Sequence, residues 1–328
     1  MSPRLGIIGT GAWGKNHVRV FCELLGTERI TACDVDPERR AAIARQHPGI
    51  TTVERIDDCD VDAVVIATPA PTHAALAAEA LVEGLDVLVE KPMALTPMDA
   101  QRLVESAEAH HRILMVDHLL EYHPAVTALK SLADRGELGQ LLHSTSDRLN
   151  LGVVRSAENA WWSLAPHDVS VMLYLFGEMP ETVSAHGASF LQDKIEDVVT
   201  AVFRFPSGRM AQIRSSWLDP IKTRRVIVVG SEAMAVLDET AEERLVVHDK
   251  KAVTDSGRWT VHRGDARPVT LDAAEPLRVM AEAFLASIES RIPPRSDGMD
   301  GLRVVRVLDA AQRSIDAGGT PVRVGDHL

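Results

Sequence analysis

Residues 5–14 read Leu5-Gly6-Ile7-Ile8-Gly9-Thr10-Gly11-Ala12-Trp13-Gly14, a short apolar run followed at once by the pattern G-x-G-x-x-G. The apolar run predicts a buried β-strand, and the glycines predict a tight turn into a helix that begins near Gly14. In such a turn the backbone can approach a pyrophosphate closely, and the first N–H groups of the helix bind its negative charge. The stretch therefore predicts a dinucleotide-binding domain.

An acidic residue follows at the distance that this interpretation requires. Asp34 closes the second predicted strand, and it lies 20 residues after Gly14, counted from 14 to 34. A carboxylate at this place accepts hydrogen bonds from the ribose hydroxyls and repels a 2′-phosphate. NAD is therefore favoured as the cofactor, while Arg39 and Arg40 lie close enough in sequence to keep NADP open as an alternative.

The first 120 residues alternate between strand and helix patterns. Apolar runs at 5–8, 30–35, 61–67, 87–89 and 113–116 are separated by helical patterns at 14–25, 37–46, 72–84 and 96–110. Strands that are apolar on both faces and are joined by helices indicate a parallel sheet covered on both sides. We therefore predict an α/β fold, with a doubly wound, NAD-binding Rossmann domain over residues 1–120.

The pattern changes after residue 120. Strand-like stretches follow at 141–148, 182–188, 198–205, 210–217, 224–229, 233–237 and 244–248, with helical patterns at 126–135, 167–176, 276–291 and 299–317. Several of the strands are joined by hairpin-like turns such as Pro206-Ser207-Gly208. This order predicts an α+β domain over residues 121–328 with a mostly antiparallel, open sheet, which we assign to substrate binding and oligomerisation.

Composition excludes several classes of partner. The 328 residues carry a net charge of −12, whereas a protein that binds nucleic acid or an acidic membrane usually carries the opposite sign. Cys22, Cys33 and Cys59 have no metal-site spacing, so we expect reduced thiols, at least two of them buried in the first domain. Neither a signal peptide nor an apolar run of membrane-spanning length is apparent, which leads us to expect a cytoplasmic protein.

Two further segments complete a spaced set of motifs with the glycine loop: Ala67-Thr68-Pro69-Ala70-Pro71-Thr72-His73 and Glu90-Lys91-Pro92. This set resembles the Gfo/Idh/MocA family of sugar and cyclitol oxidoreductases, and the resemblance covers essentially the whole chain. It implies an NAD-dependent dehydrogenase that acts on a CH–OH group of a small sugar-type substrate. It also implies a homodimer or a homotetramer.

A narrower resemblance joins residues 14–19, 118–125, 148–155 and 159–168. These segments are similar to the branch that oxidises C3 of UDP-N-acetylglucosamine or of its uronic acid, which supplies 3-amino sugars for surface polysaccharides. Many family members carry an aspartate four residues before the catalytic histidine, whereas this chain has Ser163 there. The departure weakens a mechanism built on an Asp/His dyad.

The expected catalytic residues are Lys91 and His167. Lys91 follows a strand at the carboxyl edge of the parallel sheet, where an ammonium stabilises a developing alkoxide or acts as a base when its pKa is lowered. His167 is the preferred general acid and base, because imidazole titrates near neutral pH. We expect the two residues to converge on one carbinol from opposite sides of a cleft, and the sequence leaves open which of them accepts the proton.

The remaining site residues follow from the motifs and the resemblance. The residues expected to bind the cofactor are Gly9, Thr10, Gly11, Ala12, Trp13, Gly14, Asp34, Thr68, Pro69, His73, Glu90, Lys91 and His118. The residues expected to bind the substrate are Lys91, Arg155, Asn159, Trp162 and His167. Arg148 is a further candidate for an anionic substrate group, and no metal ion is expected.

The sequence alone leaves the roles of several further residues open. His118 is expected at the nicotinamide end of the cleft and His123 at the domain junction. Trp161 and Trp162 suit either a wall of the sugar pocket or the core. Asp168 either orients His167 or favours a helix N-terminus through its charge.

Two alternatives to nucleotide-sugar oxidation remain. The first is another activity of the same family, on inositol, on a free sugar or as a deoxysugar ketoreductase. The second is a dinucleotide-binding regulator without turnover, against which Lys91 and His167 argue because a pure binder needs neither.

Overall fold

A computed structural model describes residues 2–55, 57 and 60–325. The chain forms two compact units, of which the first comprises Met1–Tyr122 and Ala274–Val305 and the second His123–Ala273 and Arg306–Leu328. The sequence grouped residues 121–328 in one domain, whereas residues 274–305 pack with the first unit. Cys33 is buried and Cys22 half-buried, both as free thiols, and Cys59 lies outside the described residues.

The described helices and longer strands have the following bounds. The helices are α1 (Gly14–Leu25), α2 (Pro37–Gln46), α3 (His73–Val82), α4 (Pro97–Ala109), α5 (Pro124–Asp134), α6 (Ala160–Phe176), α7 (Pro276–Ser290) and α8 (Gly298–Asp316). None of these described helices combines the length and the apolar composition that crossing a bilayer requires. The strands are β1 (Leu5–Ile8), β2 (Ile30–Cys33), β3 (Thr51–Val53), β4 (Ala63–Ile66), β5 (Asp86–Val89), β6 (Leu114–Val116), β7 (Leu141–Leu149), β8 (Thr182–Ala188), β9 (Val198–Arg204), β10 (Met210–Ser216), β11 (Thr223–Gly230), β12 (Met234–Asp238), β13 (Leu245–Asp255), β14 (Arg258–Pro268) and β15 (Val322–Arg323).

The first unit contains a six-stranded sheet in the order β3-β2-β1-β4-β5-β6. All described neighbours in this sheet run parallel, which confirms the predicted doubly wound fold. The order reverses between β1 and β4, and ligands of such sheets bind outside the carboxyl ends of the strands at this switch point. The glycine loop follows β1, so it lies at that point.

Helix α7 completes the core of the first unit, although it lies far along the chain. The ring of Phe284 on α7 meets the ring of Phe21 on α1 edge to face, with centroids 6.5 Å apart. Both side chains are fully buried. The amphipathic pattern of residues 276–291 predicted the helix correctly, but periodicity alone does not reveal which sheet the apolar face covers.

The second unit contains a nine-stranded sheet in the order β14-β13-β12-β11-β7-β10-β9-β8-β15. The pair β7–β10 is parallel and the other described pairs are antiparallel, as the sequence predicted. Strand β14 was not predicted, and β13 runs beyond residue 248 to Asp255. The outer part of this ribbon is exposed on both faces, so it lacks the alternation of apolar and polar residues that marks a half-buried strand.

Helix α6 begins earlier than the sequence predicted. The expected start was His167, but the helix begins at Ala160 because Asn159 caps it, its side chain accepting a hydrogen bond from the Trp162 backbone N–H at 3.0 Å. Pro166 therefore lies inside the helix and not at its first turn. The apolar side of α6 packs against β7, β9 and β10.

Replacing Phe284 by alanine should lower the free energy of unfolding by about 3–5 kcal/mol, because the change leaves a cavity between α7 and α1. Urea denaturation followed by circular dichroism measures the change. Phe190→Ala is the control, because that side chain is 71% exposed and its removal should cost less than about 0.5 kcal/mol. A loss for Phe284→Ala as small as that of the control would show that α7 does not belong to this core.

Candidate active site

Three glycines shape the loop between β1 and α1. Gly9 has a φ of +88°, and a Cβ built on it would lie 2.7 Å from the carbonyl oxygen of Ala67. A Cβ on Gly14 would lie 1.8 Å from the carbonyl oxygen of Gly9. At Gly11 the nearest atom to such a Cβ is Nη1 of Arg39, 3.8 Å away. Packing within the protein therefore requires the first and third glycines, while the middle one faces open space that suits a phosphate.

The N-terminus of α1 is free of side-chain caps among the described residues. Trp13 occupies the cap position, makes no side-chain capping hydrogen bond and is 46% exposed. The first N–H groups of a helix have no partner within the helix, and its dipole adds positive charge there. Together with the space at Gly11, this end of α1 fits a diphosphate.

Asp34 lies beside this loop, directly after β2. Its Oδ2 accepts hydrogen bonds from the Thr10 backbone N–H at 2.7 Å and from the Thr10 hydroxyl at 2.9 Å. Its Oδ1 accepts the Asp36 backbone N–H at 2.9 Å. Burial opposes the charged form of Asp34, but these hydrogen bonds outweigh it and lower the pKa. An ionised carboxylate thus lies where the adenosine ribose is expected to bind. Nη1 of Arg39 lies 3.7 Å from Oδ2 of Asp34.

His73 contacts both the loop after β4, which contains Thr68, and the loop after β5, which contains Lys91 and Pro92. His73 opens α3 and is buried, with Nε2 2.8 Å from the Thr68 carbonyl oxygen and Nδ1 2.8 Å from the Pro92 carbonyl oxygen. The sequence assigned His73, Thr68 and Pro69 to the cofactor. Their place after β4 suits that assignment, and the ring of His73 itself contacts backbone, so its direct contact with the cofactor stays a prediction.

Glu90 and Lys91 follow β5, at the same edge of the sheet as the glycine loop. Glu90 is buried and Lys91 is half-buried. Oε1 of Glu90 lies 3.3 Å from Nε2 of His17, and the same nitrogen lies 3.2 Å from Oδ2 of Asp117. His17 lies in the segment 14–19 that carries the narrower resemblance, but its pairing with Asp117 could not be predicted, because a separation of 100 residues carries no local pattern.

His118 lies in a second buried group of the first unit. Its Nδ1 is 2.7 Å from Oδ2 of Asp300 and 3.5 Å from Oε1 of Glu121. Burial opposes the charged imidazole, yet the hydrogen bonds to these carboxylates raise the pKa of His118 to about 10. Burial also raises the pKa of Glu121, to about 7. The expected contact of His118 with the nicotinamide stays a prediction.

These two groups each bring three side chains of metal-ligand type within 4.8 Å: His17 with Glu90 and Asp117, and His118 with Glu121 and Asp300. No metal centre was predicted. We interpret both groups as ion-pair networks, because contacts of 2.7–3.5 Å between imidazole nitrogen and carboxylate oxygen already join their members.

In the second unit, His167 lies on α6 and is half-buried. Its neighbour Asp168 is in the third turn, so the interpretation of Asp168 as a helix N-terminal charge is wrong. The Asp168 carboxylate accepts hydrogen bonds from the hydroxyl of Ser146 and from Nε of Arg148 at 2.5 Å. Arg148 is buried, and Oε1 of Glu239 lies 3.6 Å from its Nη2. Because its charge is already paired, Arg148 is a poor candidate for an anionic substrate group.

The other substrate candidates differ in whether their polar atoms already form hydrogen bonds or ion pairs within the protein. The amide of Asn159 caps α6 and donates from Nδ2 to Glu196 and to Gln312. Trp161 is core, since it is fully buried and its indole N–H donates to the Leu308 carbonyl at 3.0 Å. Trp162 is half-buried. Arg155 is exposed, and its Nε lies 3.7 Å from Oε1 of Glu158.

His123 and Ser163 lie close in the chain to predicted site residues. His123 caps α5 by accepting the Ala125 backbone N–H at 3.1 Å. Ser163 is buried and lies one helical turn before His167 on α6, where family members with the dyad carry aspartate. Serine has no carboxylate, so residue 163 of this chain does not supply the acid of such a dyad.

A glycine-loop Rossmann unit joined to a unit with a large mixed sheet defines a two-domain, dinucleotide-dependent oxidoreductase. Residues 3–118 match the model of the oxidoreductase family with an NAD-binding Rossmann fold, GFO/IDH/MocA, and residues 126–236 match the C-terminal domain of the same family. The chain belongs to the GFO/IDH/MocA family. It is an NAD-binding dehydrogenase with a sugar-type substrate, and the predicted family, cofactor and enzyme class are confirmed.

Individual relatives match over nearly the whole chain. The chain is 28% identical to UDP-N-acetylglucosamine 3-dehydrogenase of Acidithiobacillus ferrooxidans, over 96% of this chain and 97% of the relative. A solved structure of that enzyme superimposes with a TM-score of 0.85 at 26% identity, covering 98% and 99% of the two chains. The chain is also 27% identical to an inositol 2-dehydrogenase of Paenarthrobacter aurescens, over 99% of both chains.

The glycine loop yields a prediction that separates folding from cofactor binding. Gly14→Ala should destabilise the protein, because its Cβ overlaps the Gly9 carbonyl. Gly11→Ala should leave the unfolding free energy within about 0.5 kcal/mol of wild type but weaken NAD binding by roughly tenfold or more, about 1.4 kcal/mol. Calorimetric titration with NAD and urea denaturation measure the two effects. Wild-type NAD affinity in Gly11→Ala would show that the backbone at residue 11 does not approach the cofactor.

The ion pair of His118 predicts how stability depends on pH. Its pKa rises from an ordinary 6.5 to about 10 on folding, so its contribution is complete below pH 6.5 and is lost as pH rises through 10. The raised pKa of Glu121 acts in the same direction, from 4.5 to about 7. The unfolding free energy should therefore fall as pH rises from 6.5 to 10. His118→Gln should make that slope smaller but not abolish it, because folding also raises the pKa of buried His17, to about 9. Urea denaturation across this pH range measures it, and exposed His110→Gln should keep the wild-type slope.

Proposed function

We propose that this enzyme oxidises the C3 hydroxyl of a nucleotide sugar such as UDP-N-acetylglucosamine or its uronic acid, with NAD as the hydride acceptor. The similarity to UDP-N-acetylglucosamine 3-dehydrogenase carries the proposal, because it extends over 96% of the chain and so includes both units. The segments around His118, Arg148 and His167 that resemble this branch support it further.

Oxidation of a secondary alcohol removes a hydride from carbon and a proton from oxygen. Bound NAD supplies the hydride acceptor, and its diphosphate would be held by the glycine loop and its ribose by Asp34. Lys91 would donate a hydrogen bond to the hydroxyl oxygen and stabilise the negative charge that develops as the proton leaves. His167 would take up that proton, which suits an imidazole at neutral pH.

The remaining assignments belong to the same proposal. Arg155 and Trp162 are proposed substrate contacts because each presents surface that the protein itself does not bury. For Asn159 the proposal is weaker, since its amide already caps α6. We also propose a cytoplasmic homodimer or homotetramer, with the second unit binding the substrate and providing the oligomer contacts.

The substrate is tested by incubating the enzyme and NAD with UDP-N-acetylglucosamine, with its uronic acid and with myo-inositol, while the absorbance of reduced nicotinamide is followed. We expect reduction with at least one of the two nucleotide sugars and a kcat/KM for inositol at least about 100-fold lower, since remote binding energy from the nucleotide is lost with inositol. Reduction with inositol alone would assign the enzyme to inositol oxidation, the activity of relatives such as that of Paenarthrobacter aurescens.

Lys91→Ala and His167→Ala should each lower kcat by about 10²–10⁴ while NAD affinity stays within about threefold of wild type. Steady-state kinetics and calorimetric titration measure the two quantities. Lys250→Ala and His110→Ala are the matched controls, because both side chains are exposed and belong to no predicted site.

The double variant shows whether the two residues serve one chemical step. If they do, Lys91→Ala/His167→Ala should be little slower than the slower single variant, because groups that act as a unit are strongly non-additive. Full activity of either single variant would remove that residue from the mechanism.

A further inference from the structure

Asp168 is a charged residue in the apolar face of α6. Ala165 lies three residues before it and Met172 four residues after it, and both are buried. Residues at this spacing share one face of a helix, and Asp168 on that face is only 2% exposed. An apolar side chain would fit there without the desolvation that a buried carboxylate costs. Stability alone therefore does not account for an acid at this position.

Two side chains of β7 hold the Asp168 carboxylate. Ser146 and Arg148 are two residues apart on the strand, so both point to the same face of the sheet. Oδ1 of Asp168 accepts the Ser146 hydroxyl at 2.5 Å, and Oδ2 accepts Nε–H of Arg148 at 2.5 Å. Nη2 of Arg148 also donates to Oδ1, at 3.3 Å. Because such hydrogen bonds are directional, they fix the rotation of α6 about its axis as well as its distance from β7.

This contact lies next to an interruption in the hydrogen-bond ladder of α6. Pro166 is inside the helix and has no backbone N–H, so residue 166 donates no hydrogen bond to the Trp162 carbonyl. His167 follows at once, and successive residues are about 100° apart around a helix axis. Since the ladder lacks a bond just before His167 and Asp168 is held just after it, the Asp168 contacts determine the direction of the imidazole.

We propose that Arg148 and Asp168 are a positioning pair for His167: by fixing the rotation of α6 beside Pro166, they direct the imidazole toward the substrate hydroxyl. The inference rests on the proposed catalytic role of His167. It gives Arg148, whose guanidinium is already paired with carboxylates, a part in the reaction that needs no contact with the substrate.

The test removes all three polar groups together, so that positioning is separated from stability. The apolar triple variant Ser146→Ala/Arg148→Met/Asp168→Leu keeps side-chain packing between α6 and β7 but has no directional hydrogen bonds there. Replacing a buried ion pair by apolar residues is often neutral, whereas removing one partner is strongly destabilising. The urea midpoint of the triple variant should therefore lie well above that of Asp168→Ala. Glu239, the second partner of Arg148, is half-buried and keeps a cationic neighbour in Arg224.

The kinetic effect should be large although the triple variant is folded. Its kcat should fall by about 10–100-fold, because a small displacement of a reacting group slows the chemical step. The KM for the nucleotide sugar and the Kd for NAD should change by less than about threefold, since neither ligand loses a contact. If the pair served stability alone, the loss of kcat would follow the loss of stability across the variants.

Pro166→Ala provides the rescue. It restores a backbone N–H at residue 166, so α6 can hold its direction through a hydrogen bond to the Trp162 carbonyl. Added to the apolar triple variant, it should recover most of the lost kcat. In the wild-type background it should leave kcat nearly unchanged, because Arg148 and Asp168 already fix the helix. A purely structural role of the pair would give no such dependence on residue 166.

A second readout needs no substrate. In the substrate-free protein, the rate at which diethyl pyrocarbonate modifies the His167 imidazole is measured by mass spectrometry, with exposed His110 as the internal reference. His167 is half-buried, so loosening of this turn in the triple variant should speed its modification by at least about threefold. Adding Pro166→Ala should reverse the change.

The two readouts separate the possible failures. Wild-type kcat or a wild-type modification rate of His167 in the folded triple variant would overturn the proposal, and so would losses that Pro166→Ala does not reduce. If the triple variant does not fold, Asp168→Asn, which keeps one acceptor without the charge, is tested with the same readouts and the same rescue. If wild-type enzyme oxidises no sugar, the proposed function fails, and the modification rates still decide whether the pair positions His167.

Discussion

The contact between Gly14 and Gly9 is the constraint on which the first unit depends. Because a single methyl group at residue 14 would overlap the Gly9 carbonyl, β1 and α1 approach each other more closely than any other residue pair would allow. That approach places the N-terminus of α1 at the carboxyl end of β1, next to the switch point of the sheet. It also sets where His17, one turn further on, meets the residues that follow β5 and β6.

Much of this arrangement could be predicted from the sequence, because the information is local. The glycine pattern and the acid after β2 each depend on neighbours within a few residues or one strand–helix repeat. The start of α6 could not be placed in the same way. The helical pattern suggested a start at His167, whereas the cap that decides the start is Asn159, eight residues earlier.

The remaining parts depend on residues far apart in the chain. The packing of α7 on α1 joins Phe21 to Phe284, 263 residues apart, and the two histidine networks join His17 to Asp117 and His118 to Asp300. One sequence gives no signal for such pairs, because the apolar face of α7 or the acid at residue 117 would look the same beside other partners. Likewise, the exposed ribbon of β13 and β14 lacks the pattern by which strands are predicted.

The same arrangement of buried charges occurs in both units. Each of three buried cations faces two carboxylates: His17 faces Glu90 and Asp117, His118 faces Glu121 and Asp300, and Arg148 faces Asp168 and Glu239. An excess of one carboxylate keeps each cation charged despite burial, since removing the proton would leave two repelling acids without a partner. Each of the three is connected to a predicted site residue. His17 lies three residues after Gly14, His118 is itself such a residue, and Arg148 contacts Asp168, which is next to His167 in the chain. A buried charge that is hydrogen-bonded to a carboxylate orients its neighbours more rigidly than an apolar contact does, because hydrogen bonds are directional. The same networks that cost the protein desolvation energy therefore fix the backbone where cofactor and substrate are expected to bind.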